Sequence, residues 1–400
     1  MNSEKIAFIT AVNNESQYNE CQYYIDHLDV PAGFTLEKVA VRNAPSMCNA
    51  YNQAMKKTDA KYKVYLHQDV LIRNKNIISD LLEIFKDDEI GLVGMAGGTA
   101  MPTNGICFAT FDTGIVEERG PGLSYWMAAK TNRGGRDVVA VDGLLMATQV
   151  DIPWREDLFR GFHYYDISQS FEMLKAGYRV YVPHQDEPWT IHNCALPNLI
   201  QYERMAEVLK SEYPEFLTKE YMGKPSENYE ELQNISQQLV EMIRPMISAG
   251  EKKELTSIVQ QYKMINFRHT TLEIISFLLE IWEKEDVAYG SSKFINGKNL
   301  DLLLDEYQRC VYGITRLELD VPKEDNSWFI SNLKSGKISA EALKVFVIKI
   351  AIDRKKVYKK ICDILSEAEI LDELHRFQTI GSIIEKSTVT YGYMLAEEPK

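Results

Sequence analysis

The chain has 400 residues, of which 45% are hydrophobic and 26% are charged. At roughly 100–200 residues per domain, this length and composition predict two or three globular domains and exclude a largely disordered chain. The 45 basic and 58 acidic side chains give a net charge of −13. A negative field of this kind repels phosphate backbones, which argues against nucleic acid as a partner.

The cysteines and the apolar segments indicate the cellular compartment. The 6 cysteines are dispersed and form no C-x-x-C pair, which favours reduced thiols over a zinc site or a disulfide framework. The N-terminal segment places an acid before a short apolar stretch, unlike a secretory signal. No apolar run reaches the roughly 20 residues that a membrane-spanning helix needs. We therefore expect a cytoplasmic protein without a membrane span.

Strand-like and helix-like segments alternate through the first half of the chain. The predicted strands are 5–12, 36–42, 62–66, 90–96, 138–150 and 178–183, and the predicted helices are 16–28, 46–57, 76–85 and 166–175. This alternation predicts an α/β fold with a mainly parallel sheet covered by helices on both faces. Such sheets bind ligands beyond the carboxyl ends of their strands, so the polar segments that follow the strands carry the candidate functional residues.

Helical periodicity dominates from about Pro197 onward. Apolar stripes recur in 199–217, 229–247, 252–264, 270–284, 300–312 and 340–365, separated by spacers that contain Gly, Pro or Asn. These stripes are typical of a helical core rather than of a cofactor-binding segment. We therefore predict an α/β domain over 1–198 and an all-helical domain over 199–400.

The segment His67-Gln68-Asp69 directly follows the predicted strand 62–66. Residues two apart point the same way on extended backbone, so His67 and Asp69 can act together. A carboxylate at the carboxyl end of a strand is well placed to hold Mg²⁺ or Mn²⁺ against a diphosphate. A strand-ending turn with incidental polar residues is the alternative, and the spacing leaves both interpretations open.

A second polar segment covers residues 44–52. Ser46 is placed to cap a helix that carries Asn49 and Asn52 on one face, because residues three apart are neighbours on a helix. These amides would bind a ribose or a base if the helix entered the crevice. They would otherwise face solvent, and the sequence does not separate the two interpretations.

Two later segments carry further titratable side chains. Asp166 begins a predicted helix after the aromatic loop 161–165, so it is either a capping residue or a general base with a raised pKa. His184 and His192 follow the last predicted strand, where a histidine is a late metal ligand or ordinary polar surface. The glycine-rich run 91–99 matches neither a P-loop nor a dinucleotide-binding fingerprint, and no G-x-S-x-G elbow is present.

Taken in chain order, these segments resemble glycosyltransferases of family 2 type with the GT-A fold, in the branch of streptomycin-biosynthesis-type and related bacterial proteins. The resemblance covers about residues 4–195 and rests on 9–15, 41–54, 65–70, 141–147, 159–183 and the TIHNC segment that contains His192. His67 replaces the first Asp of the family's Asp-x-Asp motif, and Asp69 matches the metal-binding one. Asp166 matches the catalytic base, whereas Tyr165 replaces the Glu that usually precedes it.

The resemblance implies transfer of a sugar from a nucleotide-diphosphate sugar, UDP-linked, to a hydroxyl acceptor with inversion at the anomeric carbon. Asp69 and His192 would hold a divalent cation, Mn²⁺ or Mg²⁺, against the leaving diphosphate, and Asp166 would take the acceptor proton. The residues expected to bind donor or cation are Thr10, Ala11, Val12, Asn14, Glu15, Val41, Arg42, Asn43, Ser46, Asn49, His67, Gln68, Asp69, Trp126, Asp142 and Gly143. Trp126, Asp142 and Trp189 would shape the sugar and acceptor pocket, with core packing as the alternative for the two tryptophans.

Two other functions stay open from the sequence. One is a non-catalytic nucleotide-binding scaffold, because the first Asp of the motif and the Glu before Asp166 are both replaced. The other is a metal-dependent hydrolase that uses water as the acceptor. The helical half is interpreted as support, as a homo-oligomerisation module, or as a binding arm for an acceptor glycan or protein such as a bacterial surface or flagellar protein.

Overall fold

A computed structural model describes the chain over residues 1–119, 125–129, 133–193, 201–220, 229–264, 300–319, 326–338 and 355–367, together with 272, 274–276, 279, 369 and 375. The chain divides into two compact units. The first is formed by Met1–Gly120 with Ser124–Gln233, and the second by Asn234–Lys400 with Pro121–Leu123.

The first unit combines strands and helices. Its strands are β1 (Asn2–Val12), β2 (Thr35–Arg42), β3 (Ala60–Leu66), β4 (Val70–Ile72), β5 (Ile90–Gly94), β6 (Ala96–Gly98), β7 (Met101–Pro102), β8 (Thr113–Arg119), β9 (Tyr125–Ala129), β10 (Arg136–Val138), β11 (Ala140–Val141), β12 (Leu145–Thr148), β13 (Arg179–Val182), β14 (Thr190–His192) and β15 (Leu217–Lys219). Its helices are α1 (Glu15–Asp26), α2 (Met47–Lys57), α3 (Ile77–Ile84), α4 (Tyr165–Lys175) and α5 (Tyr202–Glu212), with 3-10 turns at Cys107–Thr110 and Pro214–Phe216. The predicted strand 138–150 is divided among three short strands.

The main sheet has seven strands in the order β10-β13-β5-β12-β3-β1-β2. β1 pairs in parallel with β2 and β3, and β5 pairs in parallel with β13, whereas β12 and β10 are antiparallel to their neighbours. Five of the seven strands run the same way, so the predicted mainly parallel α/β sheet is confirmed. β12 runs backward because its chain enters at the carboxyl edge, where the His67 amide donates to Leu144 O at 3.1 Å.

A second sheet brings the end of β3 and the segment 190–192 together. It contains β11, β6, β8, β14 and β4 in that order, with β9 also paired to β8. β4 follows β3 directly along the chain and pairs antiparallel with β14, which places His192 opposite Val70. β7 and β15 form a separate two-stranded sheet.

Helices cover both faces of the main sheet, as the strand–helix alternation predicts. Along β1, Ile6 and Phe8 belong to the core that is also filled by α1 and α3. Ala7 and Ile9 belong to the opposite core, which α2 and α4 fill. The alternation follows from the period of two along a strand, which sends successive side chains to opposite faces.

Helix α5 packs in the first unit. Met205 and the following Tyr213 are buried in the same core as α2 and α4. Arg155 adds an ion pair to Glu212 at 2.8 Å. The two compact units divide after residue 233, later than the predicted boundary at 198, because the apolar face of α5 completes the core of the first unit.

The helices that follow are α6 (Tyr229–Ala249), α7 (Lys252–Met264), α8 (Leu300–Glu318), α9 (Asn326–Lys334) and α10 (Lys355–Glu367). α8 contacts α9 and α10, and the Arg316 guanidinium lies 4.5 Å from the ring centre of Trp328. These elements agree with the predicted helical second part, although most of the predicted segments 270–284 and 340–365 lie outside the described residues. Within the described part of the chain, no helix has the length and apolarity needed to cross a bilayer.

Candidate active site

The carboxyl ends of β1, β2 and β3 border a cavity of about 220 Å³. Its wall is formed by Ala11, Val12, Asn13, Val41, Asn43, Ala44, Met47, His67, Gln68, Asp69 and Phe162. The carboxyl edge of parallel strands is where an α/β sheet binds ligands. The structure therefore brings together seven of the residues predicted to bind the donor or cation: Ala11, Val12, Val41, Asn43, His67, Gln68 and Asp69.

The side chain of Gln68 joins the ends of β1 and β3. Its Oε1 accepts hydrogen bonds from the amides of Asn13 and Asn14 at 3.0 and 2.9 Å, and its own amide donates to Asn13. Asn14 caps α1, because its Oδ1 accepts from the amides of Ser16 and Gln17 at 3.0 and 3.2 Å. The polar groups of Gln68 and Asn14 thus hold the loop that follows β1.

Glu15, at the start of α1, and Arg42, at the end of β2, form an exposed ion pair. The Arg42 guanidinium donates to both carboxylate oxygens at 2.5 and 3.0 Å, and these bonds lower the pKa of Glu15. Neither residue belongs to the cavity wall. Asn43, the next residue, does belong to the wall. Its φ of 56° is left-handed, a conformation that Asn adopts more readily than most residues.

Three side chains with metal-ligating atoms meet at the end of β3. Asp69 Oδ1 lies 3.6 Å from His192 Nε2 and 4.0 Å from His67 Nδ1. The pairing of β4 with β14 brings His192 next to Asp69, and the Asn193 amide donates to Asp69 O at 2.9 Å. One ligand atom from each side chain lies within 4.8 Å of the others. The structure thus places His67 beside Asp69 and His192, the two side chains expected to hold the cation.

The charge states in this cluster favour metal binding. Burial tends to raise the pKa of Asp69, but His192 and His67 outweigh burial and lower the pKa below its usual value. Burial lowers the pKa of His67, against a smaller opposing effect of Asp69. Asp69 is therefore anionic and His67 neutral at neutral pH, which are the states in which these side chains ligate metal ions.

The set of donor atoms fits a divalent transition metal. Two imidazole nitrogens and one carboxylate oxygen suit such an ion better than Mg²⁺, which prefers oxygen ligands. Metal–ligand bonds of about 2.1 Å hold neighbouring ligand atoms about 3 Å apart. The separations of 3.6 and 4.0 Å are therefore slightly wider than those around a bound ion.

The first turn of α4 presents Tyr165 and Asp166. Tyr164 occupies the N-cap position with a left-handed φ of 61°, so Asp166 is not the helix cap. The Tyr165 hydroxyl is hydrogen-bonded to His67 Nε2. One carboxylate oxygen of Asp166 accepts from the Gly143 amide at 2.9 Å. Asp166 is thus held by the turn between β11 and β12, next to the residue that contacts the cluster.

The environment of Asp166 suits a general base. Burial, followed by the charge of Asp142, raises the pKa of Asp166 to about 7. A carboxyl group that titrates near neutral pH exchanges its proton readily under working conditions. Asp142 accepts a hydrogen bond from the Leu144 amide at 2.9 Å. Asp142 and Gly143, both predicted to bind the donor, lie outside the cavity wall and act on Asp166 instead.

Helix α2 begins at the cavity with the predicted cap. Ser46 Oγ accepts from the Asn49 amide at 3.2 Å, and the Met47 amide donates to the loop before α4 at 3.1 Å. Asn52 is buried and exchanges hydrogen bonds of 2.8 and 2.9 Å with the main chain of Trp154. Ser46, Asn49 and Asn52 all lie outside the cavity wall.

Other predicted residues lie away from the cavity or outside the described part. Thr10 is buried within β1, with 1% of its surface exposed. Trp189 packs against the core of α1 and α3, as the packing alternative predicts. Trp126 lies in β9, but its side chain lies outside the described residues. His184 is exposed and pairs with Asp186 at 3.3 Å.

The cavity wall also contains residues that lie within the motif segments but were not predicted as site residues, namely Asn13, Ala44, Met47 and Phe162. Phe162 is the most informative of them because 53% of its surface is exposed. A large aromatic side chain in contact with both solvent and a cavity is available to a ligand. Its sequence signal was its place in the glycine-led aromatic loop before Asp166.

Part of the chain matches the profile of a known protein family. Residues 7–213 match the profile of a family described as a glycosyltransferase like family. A search of curated proteins found no match. Among solved structures, S. aureus TarS is 12% identical with a TM-score of 0.35, and the match covers 59% of this chain and 43% of that chain. This chain thus spans less than half the length of TarS.

Two further structures are similar at the same level. TarS 1–349 in complex with UDP-GlcNAc is 11% identical with a TM-score of 0.37, over 72% of this chain and 93% of that chain. The mannosyltransferase PcManGT from Pyrobaculum calidifontis, in complex with GDP-Man and Mn²⁺, is 11% identical with a TM-score of 0.36, over 87% of each chain.

Proposed function

The chain belongs to the glycosyltransferase-like family whose profile matches residues 7–213, and we propose that it transfers a sugar from a nucleotide-diphosphate sugar to a hydroxyl group of a glycan or protein. The transfer depends on a divalent cation and inverts the anomeric carbon. A UDP-linked sugar is the first donor to test, and Mn²⁺ is the first cation.

One observation carries this proposal: a cluster of metal-ligating side chains forms part of the cavity wall at the carboxyl edge of the sheet. His67 and Asp69 belong to both the cluster and the wall. Ala11, Val41 and Met47 make other parts of the wall apolar. A cavity with a charged side and an apolar side suits a nucleoside diphosphate, whose base is apolar on its faces and whose diphosphate is anionic.

The residues of the chain have distinct tasks in this reaction. The acceptor oxygen forms a bond to the anomeric carbon while the bond from that carbon to the diphosphate breaks. Asp166, whose pKa is raised to about 7, takes the proton of the acceptor hydroxyl. Asp69 and His192 would hold the cation, which supplies positive charge against the leaving diphosphate. The Gly143 amide keeps one oxygen of Asp166 in place at 2.9 Å.

Nucleotide binding tests the donor site before any acceptor is known. UDP, GDP, dTDP and CDP are added to the protein with and without Mn²⁺, and thermal unfolding is followed. We expect one of them to raise the melting temperature only with Mn²⁺, since a ligand at about 100 times its Kd stabilises by about 2.7 kcal/mol. Asp69→Ala should remove this shift. Asp186→Ala is the matched control, because the Asp186 carboxylate is exposed and, among described residues, pairs only with surface His184.

The outcomes separate the proposed function from its alternatives. No shift with any of the four nucleotides would overturn the donor site. Binding without transfer, for every donor and acceptor offered, would favour a non-catalytic scaffold. Release of free sugar that no acceptor suppresses would favour a hydrolase. Asp166→Asn should retain nucleotide binding while transfer falls by about 10²-fold or more, the usual contribution of a general base.

The compartment and the second unit complete the proposal. We place the enzyme in the cytoplasm because its 6 cysteines are dispersed along the sequence, a pattern that favours reduced thiols. The helical second unit is a candidate for acceptor binding, support or homo-oligomerisation.

A further inference from the structure

The hydroxyl of Tyr165 contacts His67 on the side of the imidazole away from Asp69. It is hydrogen-bonded to His67 Nε2, whereas His67 Nδ1 lies 4.0 Å from Asp69 Oδ1. The main chain of His67 is also held, because its amide donates to Leu144 O at 3.1 Å. The rings of His67 and His192 are 5.6 Å apart, so the two imidazoles flank the same carboxylate.

A neutral imidazole carries a proton on one nitrogen and a lone pair on the other. When His67 Nε2 carries the proton and donates it to the Tyr165 hydroxyl, the lone pair lies on Nδ1, the nitrogen nearer Asp69. Metal-bound histidines are commonly held in this way, through a hydrogen bond donated by the second ring nitrogen. We infer that His67 is a third ligand of the cation through Nδ1 and that Tyr165 is the positioning residue that holds it, an inference that rests on the proposed function.

The fold leaves the Tyr165 hydroxyl little freedom to move. The Tyr165 side chain is 3% exposed, and its ring lies 5.8 Å from that of Tyr51 and 6.2 Å from that of Trp154. At Gly143, an added Cβ would lie 2.0 Å from the hydroxyl oxygen. The absence of a side chain at Gly143 therefore provides the space that the hydroxyl occupies beside His67.

The test is a titration of the full chain with Mn²⁺ alone, in which electron paramagnetic resonance measures the free ion. Tyr165→Phe removes the hydroxyl and keeps the ring. We expect its Mn²⁺ affinity to fall about 10- to 100-fold, the range for loss of a partner that orients a metal-bound histidine. His67→Ala should lower the affinity at least as far.

Tyr51→Phe is the matched control. Its hydroxyl is also buried, its ring packs against the ring of Tyr165, and among the described residues the hydroxyl has no hydrogen-bond partner. Its removal should leave the Mn²⁺ affinity at the wild-type value. A fall in Tyr165→Phe but not in Tyr51→Phe supports the role of the contact with His67 rather than a general loosening of the aromatic core.

Pulsed electron paramagnetic resonance of bound Mn²⁺ gives a second readout, because it detects coupled histidine nitrogens. We expect two coupled histidine nitrogens in the wild type, from His67 and His192, and one in His67→Ala. An unchanged affinity in Tyr165→Phe, or a single nitrogen in the wild type, would overturn the inference and leave a cation site of Asp69 and His192. Absence of Mn²⁺ binding to the wild type would overturn the cation site itself, and with it the metal dependence of the proposed function.

If Tyr165→Phe does not fold, histidine-selective ¹⁵N nuclear magnetic resonance of the wild-type protein shows which ring nitrogen of His67 carries the proton. A neutral His67 protonated at Nε2 supports the inference. Protonation at Nδ1 overturns it, because that nitrogen would then have no lone pair for the cation.

Discussion

Asp166 illustrates how the surroundings of one side chain decide its chemistry. A solvent-exposed aspartate titrates near pH 4, but burial and the charge of Asp142 raise the pKa of Asp166 to about 7. The amides of Gly143 and Ile167, each 2.9 Å from a carboxylate oxygen, hold it in one orientation. Helix capping and base catalysis were both open from the sequence, because the Gly143 amide and the Asp142 carboxylate that act on Asp166 lie more than 20 residues away in the chain.

The raised pKa of Asp166 predicts the pH dependence of transfer. A general base acts when ionised, so kcat/KM should rise by about tenfold per pH unit below about pH 7 and level off above it. Initial rates measured from pH 5 to pH 9 test this. Asp142→Asn should move the midpoint to lower pH, because it removes a charge but keeps the oxygen that accepts from Leu144. A flat profile, or a midpoint that Asp142→Asn leaves in place, would contradict the prediction.

At the scale of elements, the first turn of α4 and the turn between β11 and β12 approach each other closely at Gly143. Its amide donates to Asp166, and the Tyr165 ring occupies the space of a side chain. Gly143 does not have a positive φ, so the need for glycine here comes from the close approach and not from backbone conformation. The turn that holds Asp166 and the cluster of His67, Asp69 and His192 thus depend on the same contact.

Gly143→Ala should destabilise the protein and weaken Mn²⁺ binding. The added Cβ would lie 2.0 Å from the Tyr165 hydroxyl and 2.5 Å from Cζ, on a rigid buried ring. Overpacking of this kind costs about 1–3 kcal/mol, which urea unfolding can measure. Gly161→Ala is the matched control, since its Cβ would only approach Gln201 Oε1 at 3.7 Å, an ordinary contact. Equal free energies of unfolding for Gly143→Ala and the wild type would contradict the prediction, because the turn would then move enough to accommodate the added methyl group.

At the scale of the whole molecule, the α/β unit extends beyond its last parallel strand. α5 and the residues that follow it contribute five buried side chains to the core under the sheet: Met205, Ala206, Leu209, Tyr213 and Leu217. β15, which follows α5 in the chain, also pairs with β7 of the first unit. The helical periodicity of 199–217 predicts a helix, which the structure forms over Tyr202–Glu212 before a 3-10 turn and β15. Amphipathic helices look alike in sequence whether they belong to one unit or the next.

This arrangement predicts the outcome of truncation. A chain that ends at residue 220 should unfold cooperatively, whereas one that ends at 198 should be much less stable or aggregate. Burial of a large apolar side chain contributes about 1.5–3 kcal/mol. The loss of the four large ones, Met205, Leu209, Tyr213 and Leu217, therefore approaches the whole stability of a domain, about 5–15 kcal/mol. Circular dichroism during heating compares the two. Equal melting temperatures would instead support a domain boundary at 198.

Much of the main sheet could be predicted from the sequence, together with part of the candidate site. Hydrophobic periodicity is a local property, so β1, β2, β3 and the helices between them were readable directly. Parallel strands end at one edge, which indicated a ligand site at Asp69. The resemblance to family 2 glycosyltransferases added Ala11 and Val41 to the same expected site. The strands β7, β8 and β9 were not predicted, and β7, with two residues, is too short to show any periodicity.

The sequence by itself determined which residues end the strands and which side chains there can bind a cation or move a proton. The tertiary structure alone decided which of them meet. His192 lies beside Asp69 because β14 pairs with β4 in one antiparallel register, and Tyr165 meets His67 because Gly143 leaves space between them. Such contacts depend on pairing and close packing between segments far apart in the chain, which no local pattern of residues specifies.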